Sequence, residues 1–229
     1  MTAERDFARE LYPFLYAPAN GDAEPVAALL ASVRTSTLAK CAEVVALRTE
    51  LITEYEEQLG HAAEAMAERF ANGGKLLAFG NGGSATDADD AAADCMMPPH
   101  VEWQSLPALS LPADSATVTA LANDVGLDNV FARQLGAVGE RGDIALGITT
   151  SGNSGNVVAA FTEARRRGLL TIALTGYDGG AVARTGAVDF CFVARREFVP
   201  RIQEGHATLW HTLLELVHRS LASRMEDVA

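Results

Sequence analysis

From Pro25 to Phe70 the apolar residues Leu29, Leu30, Val33, Leu38, Val44, Val45, Leu47, Leu51, Ile52, Tyr55 and Leu59 recur at spacings of three and four, with no Gly or further Pro before Gly60. That period predicts a long amphipathic helix and, beyond Gly60, a second one ending at Asn72-Gly73-Gly74, where glycine suits a helix C-terminus. After this stop the period changes. Short apolar runs at 75–80, 105–111, 143–149, 169–176 and 188–194 alternate with helical stretches at 84–96, 114–122, 128–138, 155–167 and about 203–223. Short buried strands separated by helices mark a parallel sheet covered on both faces. Right-handed crossovers then predict an α/β fold, a doubly wound parallel-sheet sandwich of flavodoxin-like or Rossmann-like type, with long N-terminal helices. Residues 1–27, with Phe7, Tyr12, Phe14, Tyr16 and an Asn20-Gly21-Asp22 turn, read as an N-terminal extension to a single domain at 28–229.

Composition narrows the function classes. A chain of 229 residues with 48% apolar side chains can bury one sizeable core. Its net charge of −12 repels a nucleic-acid backbone, and the only compact basic run is Arg165-Arg166-Arg167, so no direct nucleic-acid binding is expected. Cys41, Cys95 and Cys191, odd in number and far apart, give neither a disulfide framework nor a CxxC metal knuckle. Nothing approaches the roughly 18 apolar residues of a membrane span, and the charged start MTAERDFARELYPF lacks the apolar run of a signal peptide. The expectation is a soluble cytoplasmic protein without membrane partners.

In doubly wound folds ligands bind beyond the C-terminal ends of the strands. Two strand-to-helix junctions there are rich in glycine and hydroxyl groups: Gly80-Asn81-Gly82-Gly83-Ser84, and Thr149-Thr150-Ser151-Gly152-Asn153-Ser154-Gly155-Asn156. Glycines let backbone N–H groups approach an anion, hydroxyls add donors, and a helix N-terminus adds partial positive charge, so a phosphate can be held without arginine. Neither loop carries G-x-G-x-x-G or G-x-x-x-x-G-K-[ST], which disfavours dinucleotides and P-loop nucleotides. The plainer alternative is that these are ordinary turns and N-caps, but a cap needs one hydroxyl and the second loop has four.

The stretches LLAFGNGGSATDAD, LANDVGLDNVFARQL, RGDIALGITTSGNSGNVVAAF, LTGYDGG and RIQEGHATLWHTLLELVH, in this order from about residue 30 to 222, resemble the sugar isomerase (SIS) domain family, in its phosphoheptose isomerase branch. The resemblance implies an aldose–ketose isomerase acting on a seven-carbon sugar phosphate, sedoheptulose 7-phosphate, and a homotetramer with active sites at subunit interfaces. It implies that Ser84, Thr149, Thr150, Ser151 and Ser154 contact phosphate or sugar hydroxyls, and that Asn81, Gly82, Gly83, Asn123 and Asp124 line the sugar. In the family a His and a Glu four residues apart, with a Gln and a His on the last helix, form the catalytic and metal-binding cluster. Gln203 and His211 match; Asp90 stands in place of the His and Asp94 in place of the Glu.

Isomerisation through an enediol needs a base at the carbon beside the carbonyl and a donor or metal at the enediolate oxygen. Asp94 is the expected base, one methylene shorter than a Glu, and His211 the expected acid. Asp87, Asp90 and Asp94 share one helix face, and their like charges favour a neutralising cation. Asp90, Asp94, Gln203 and His211 would offer three oxygens and a nitrogen, a set acceptable to a divalent ion, zinc in the first place, with manganese or magnesium also fitting. Asp87 and Asp89 are read as solvated charges near a helix start, and Glu204 as a partner for Arg201. His206 is placed where it can turn toward the face of Gln203, His218 and His61 are read as surface or packing residues, and Cys95 as packing. The alternative to catalysis is a family member that senses a sugar phosphate or scaffolds a partner protein.

Overall fold

The computed structural model describes residues 26–226. The expected extension lies outside the described residues, apart from Val26 and Ala27. The chain divides into two compact units, Met1–Glu43 and Val44–Ala229. Helix α1 (Val26–Ala71) supplies the described part of the first and opens the second. In the first unit the apolar residues Val26, Leu29, Leu30, Val33 and Leu38 are all more than half exposed.

The second unit is built on five parallel strands, β1 (Leu76–Gly80), β2 (Ala108–Ser110), β3 (Ile144–Thr149), β4 (Leu170–Gly176) and β5 (Phe190–Ala194), in the order β2-β1-β3-β4-β5. Between them run α2 (Gly83–Met96), α3 (Ser115–Val125), α4 (Val130–Val138), α5 (Gly155–Arg167) and α6 (Gly180–Arg184), and α7 (Val199–Glu226) closes the described chain. The doubly wound parallel sheet expected from the sequence is present. Every residue of β1, β3 and β4 is buried, as strands covered on both faces require. One core joins the second half of α1, α2 and α7 to one face of the sheet; the other joins α4 and α5 to the opposite face through Phe79, Phe131 and Phe161.

Three expectations are corrected. α1 runs unbroken through Gly60, because Leu59, Ala62 and Ala63 on either side are buried and offset the modest cost of a helical glycine. The run at 105–111 pairs only over its last part, since β2 is an edge strand and Pro107, just before it, has no N–H to donate. The short α6 has too few residues to show a period and was not anticipated. The order of the strands places the reversal of winding between β1 and β3, so the two hydroxyl-rich loops leave the sheet side by side.

Candidate active site at the carboxyl ends of β1 and β3

The first loop turns out of β1 at Asn81 and Gly82. Gly82 has φ of 57°, which favours glycine, and Ser84 N–H and Ala85 N–H close onto the Asn81 and Gly82 carbonyls. Ser84 is buried at the start of α2. The second loop leaves β3 at Thr149, whose hydroxyl lies 3.2 Å from that of Ser154. Ser154 precedes α5 without capping it, so its hydroxyl is not spent on the helix and the first N–H groups of α5 face the loop. Ser151 Oγ accepts from Asn153 N–H at 3.1 Å, and Asn153 Oδ1 accepts from Ala181 N–H at 2.9 Å. Gly152, at φ 64°, lies so close to the backbone of Gly179 and Gly180 that a side chain there has no room. Thr150 follows Thr149 at the edge of the same loop and is half-buried.

The two loops are tied together. The side-chain amides of Asn81 and Asn156 exchange hydrogen bonds, each Nδ2 donating to the other's Oδ1 at 2.8 and 2.9 Å. Asn156 was not among the expected site residues, and its only signal was its place at the end of the second loop. Asn123 and Asp124 are exposed near the end of α3, with Asn123 Nδ2 donating to Asp124 Oδ1 at 2.9 Å. Asp128, in the short 3₁₀ turn that follows, comes nearer to the second loop, its carboxylate standing against Gly155.

The acidic face of α2 meets α7. Asp94 Oδ2 accepts the Trp210 indole N–H at 3.0 Å and lies 3.6 Å from His211 Nε2. The expected base and acid are thus neighbours, on an imidazole that is two-thirds exposed and a carboxylate that is 28% exposed. Trp210 was missed; it adjoins His211 in sequence, but an indole that orients a carboxylate more than a hundred residues away leaves no local signal. Gln203 packs against Gly83, where a side chain would strike its amide, and its amide also bears on the Asp87 carboxyl.

Asp87 itself was misjudged as a solvated charge. It is half-buried, and burial, opposed by the Gln203 hydrogen bond and helped by the Asp90 charge, pushes its carboxyl up to about 6. With Asp90, His206, Trp210 and His211 it lines a cavity of about 70 Å³ above Ile148 and Leu174. His206 is wholly buried, its Nε2 2.9 Å from the Thr175 carbonyl. Asp89, exposed as expected, accepts a short hydrogen bond from Ser110. Arg201 pairs with Glu204 at 2.7 Å, as expected. His218 is a packing residue, stacked on Trp103 at 4.5 Å. Cys95 is buried, and burial with the nearby Asp94 charge pushes its thiol up to about 12, which leaves it unreactive.

Of the expected metal set, Asp90 and His211 line one cavity and Asp94 stands 3.6 Å from His211. Asp94 is engaged by Trp210 and His211, while Gln203 stands against Gly83. Among the described residues no three carboxylate, imidazole or thiol groups come close enough to share one ion.

The chain matches the model of the SIS domain over residues 41–176. It is 44% identical over 175 residues to the phosphoheptose isomerase of Thermodesulfovibrio yellowstonii, covering 76% of this chain and 86% of the relative. It is 46% identical over 159 residues to that of Pelobacter propionicus, covering 69% and 83%. Among solved structures, phosphoheptose isomerase GmhA of Neisseria gonorrhoeae superposes with a TM-score of 0.74 at 37% identity, covering 81% of this chain and 98% of that one. A phosphoheptose isomerase of Francisella tularensis gives 0.73 at 32%, covering 81% and 97%. With the paired loops at the switch point and the α2–α7 carboxylate–imidazole contact in place, these likenesses show that the chain belongs to the SIS domain family, in its phosphoheptose isomerase branch.

Proposed function

We propose that the protein is an aldose–ketose isomerase that interconverts sedoheptulose 7-phosphate and D-glycero-D-manno-heptose 7-phosphate. The observation that carries this reading is the Asp94–His211 contact, with Asp94 on the helix that the first loop opens, in a chain whose relatives are named phosphoheptose isomerase. The phosphate is held by Thr149, Thr150, Ser151 and Ser154 with the N-terminus of α5, where fixed N–H dipoles favour an anion. Asn81, Gly82, Gly83 and Ser84 line the sugar, with Gln203 reaching over Gly83; Asn123 and Asp124 line its outer side. Asp94 takes the proton from the carbon beside the carbonyl and returns it to the neighbouring carbon, while the His211 imidazole donates to the enediolate oxygen. The indole N–H of Trp210 fixes the direction of the shorter Asp94 side chain, the compensation that a missing methylene demands.

The site works at an interface of a homotetramer, supported by the exposed apolar row on the first unit of α1 and by the exposure of His211. The cytoplasm is its compartment, in keeping with three free cysteines. No helix among the described residues is long and apolar enough to cross a membrane.

The test is NMR detection of solvent deuterium entering sedoheptulose 7-phosphate beside the carbonyl. Wild-type protein is expected to catalyse exchange and Asp94→Asn to lose it by at least 100-fold. Full exchange by Asp94→Asn removes it as the base; binding without exchange by the wild type turns the reading to a sugar-phosphate sensor. Since the carboxylates and His211 do not close around an ion, exchange and melting temperature are expected to survive dialysis against a chelator. Loss of both, restored by zinc, would reinstate a metal at Asp90, Asp94, Gln203 and His211.

A further inference from the structure

Two residues that line the cavity between α2 and α7, Asp87 and His206, each hold a buried polar atom that nothing in the mechanism uses. His206 Nε2 lies 2.9 Å from the Thr175 carbonyl. A carbonyl only accepts, so Nε2 carries the ring proton and Nδ1 presents a bare lone pair. Neither His206 Nδ1 nor Asp87 Oδ2 has a hydrogen-bond partner among the described residues, and both atoms are buried. The two residues line the same space, yet no hydrogen bond joins them. A buried acceptor left dry costs about 1–3 kcal/mol, and folded proteins rarely leave one so.

The space is large enough to settle the account. At about 70 Å³ it holds roughly two groups of water size, each occupying about 30 Å³. Two acceptors call for two O–H donors. The rest of the lining divides between apolar walls, Ile148, Leu174, Ala207 and Trp210, that suit C–H groups, the Asp90 carboxylate, which takes a further O–H, and His211, the proposed acid. A carbon chain bearing neighbouring hydroxyls presents this combination.

We propose that the cavity is a hydroxyl subsite of the sugar site, in which two O–H groups beside the reacting carbons donate to His206 Nδ1 and Asp87 Oδ2. The inference rests on the isomerase reading above and extends it to residues that set substrate fit. Water fills the subsite in the free protein and leaves when the sugar enters. Gln203, whose amide bears on the Asp87 carboxyl and stands against Gly83, then links the subsite to the first loop.

Crystal structures of the protein alone and with sedoheptulose 7-phosphate test the placement. Ordered water on both atoms is expected in the first, and sugar hydroxyls in its place in the second. Two variants test the energetics. His206→Gln keeps an N–H for the Thr175 carbonyl and removes the acceptor; Asp87→Asn turns an acceptor into a donor. Each is expected to raise KM for the sugar phosphate by about tenfold or more, the worth of roughly 1.4 kcal/mol, with affinity for inorganic phosphate unchanged by calorimetry. A sugar that binds and turns over with the cavity water undisturbed, or variants with unaltered KM, overturn the subsite alone. Failure of the wild-type protein to bind the sugar phosphate at all overturns the isomerase reading and the subsite with it.

Discussion

Burial pushes the His206 imidazole from its ordinary value near 6.5 down to about 4, against a smaller opposing pull from its hydrogen bond to Thr175. The folded value lies below the unfolded one, so the stability that neutral His206 contributes is complete above about pH 6.5 and is lost as pH falls toward 4. For a side chain this deeply buried the whole span amounts to something on the order of 3 kcal/mol. Melting temperature is therefore expected to fall between pH 7 and pH 5, and to fall less in His206→Gln; parallel profiles for the two proteins would remove His206 as the cause. Asp94, His211 and Gln203 were named from the resemblance, and the structure brings Asp94 to His211. Asp87 was misread and Trp210 missed for one reason: what buries or binds them is the packing of α7 on α2, between residues more than a hundred positions apart, which no local pattern encodes.

At the scale of elements, helical period and buried apolar runs located most of the helices and strands, because each of those segments has one face or two faces to hide. The misreadings sit where the local rule was outvoted. Gly60 looked like a break, but buried neighbours on both sides carry the helix across it. Nothing lies within 4 Å of where a side chain at Gly60 would sit. Gly60→Ala is therefore expected to stabilise the protein by about 0.5–1 kcal/mol through lower backbone entropy in the unfolded chain. A rise in the denaturant midpoint at unchanged slope is the check, and an unchanged or lower midpoint would mean that the position is constrained by something other than the helix.

The molecule as a whole carries a charge of −12, and its one compact basic run is spent locally: Arg165 on Asp189, Arg166 and Arg167 on Glu163. What remains unspent is apolar. Leu29, Leu30 and Val33 lie exposed on the first unit, more apolar surface than a solitary helix keeps in water. Replacing Leu30 and Val33 together by Glu is expected to shift the mass measured by light scattering from that of the proposed tetramer to smaller species; an unchanged mass would place the subunit contacts elsewhere. The strand order was not legible, since periodicity names strands without ranking them, and it is this order that sets the loops after β1 and β3 next to each other. The reciprocal amide bond of Asn81 and Asn156 then acts as a latch. Neither loop can swing away without releasing the other, so a ligand that grips the second loop also quiets the first, and in the proposed reaction the grip on phosphate and the shape offered to the sugar rise and fall as one event.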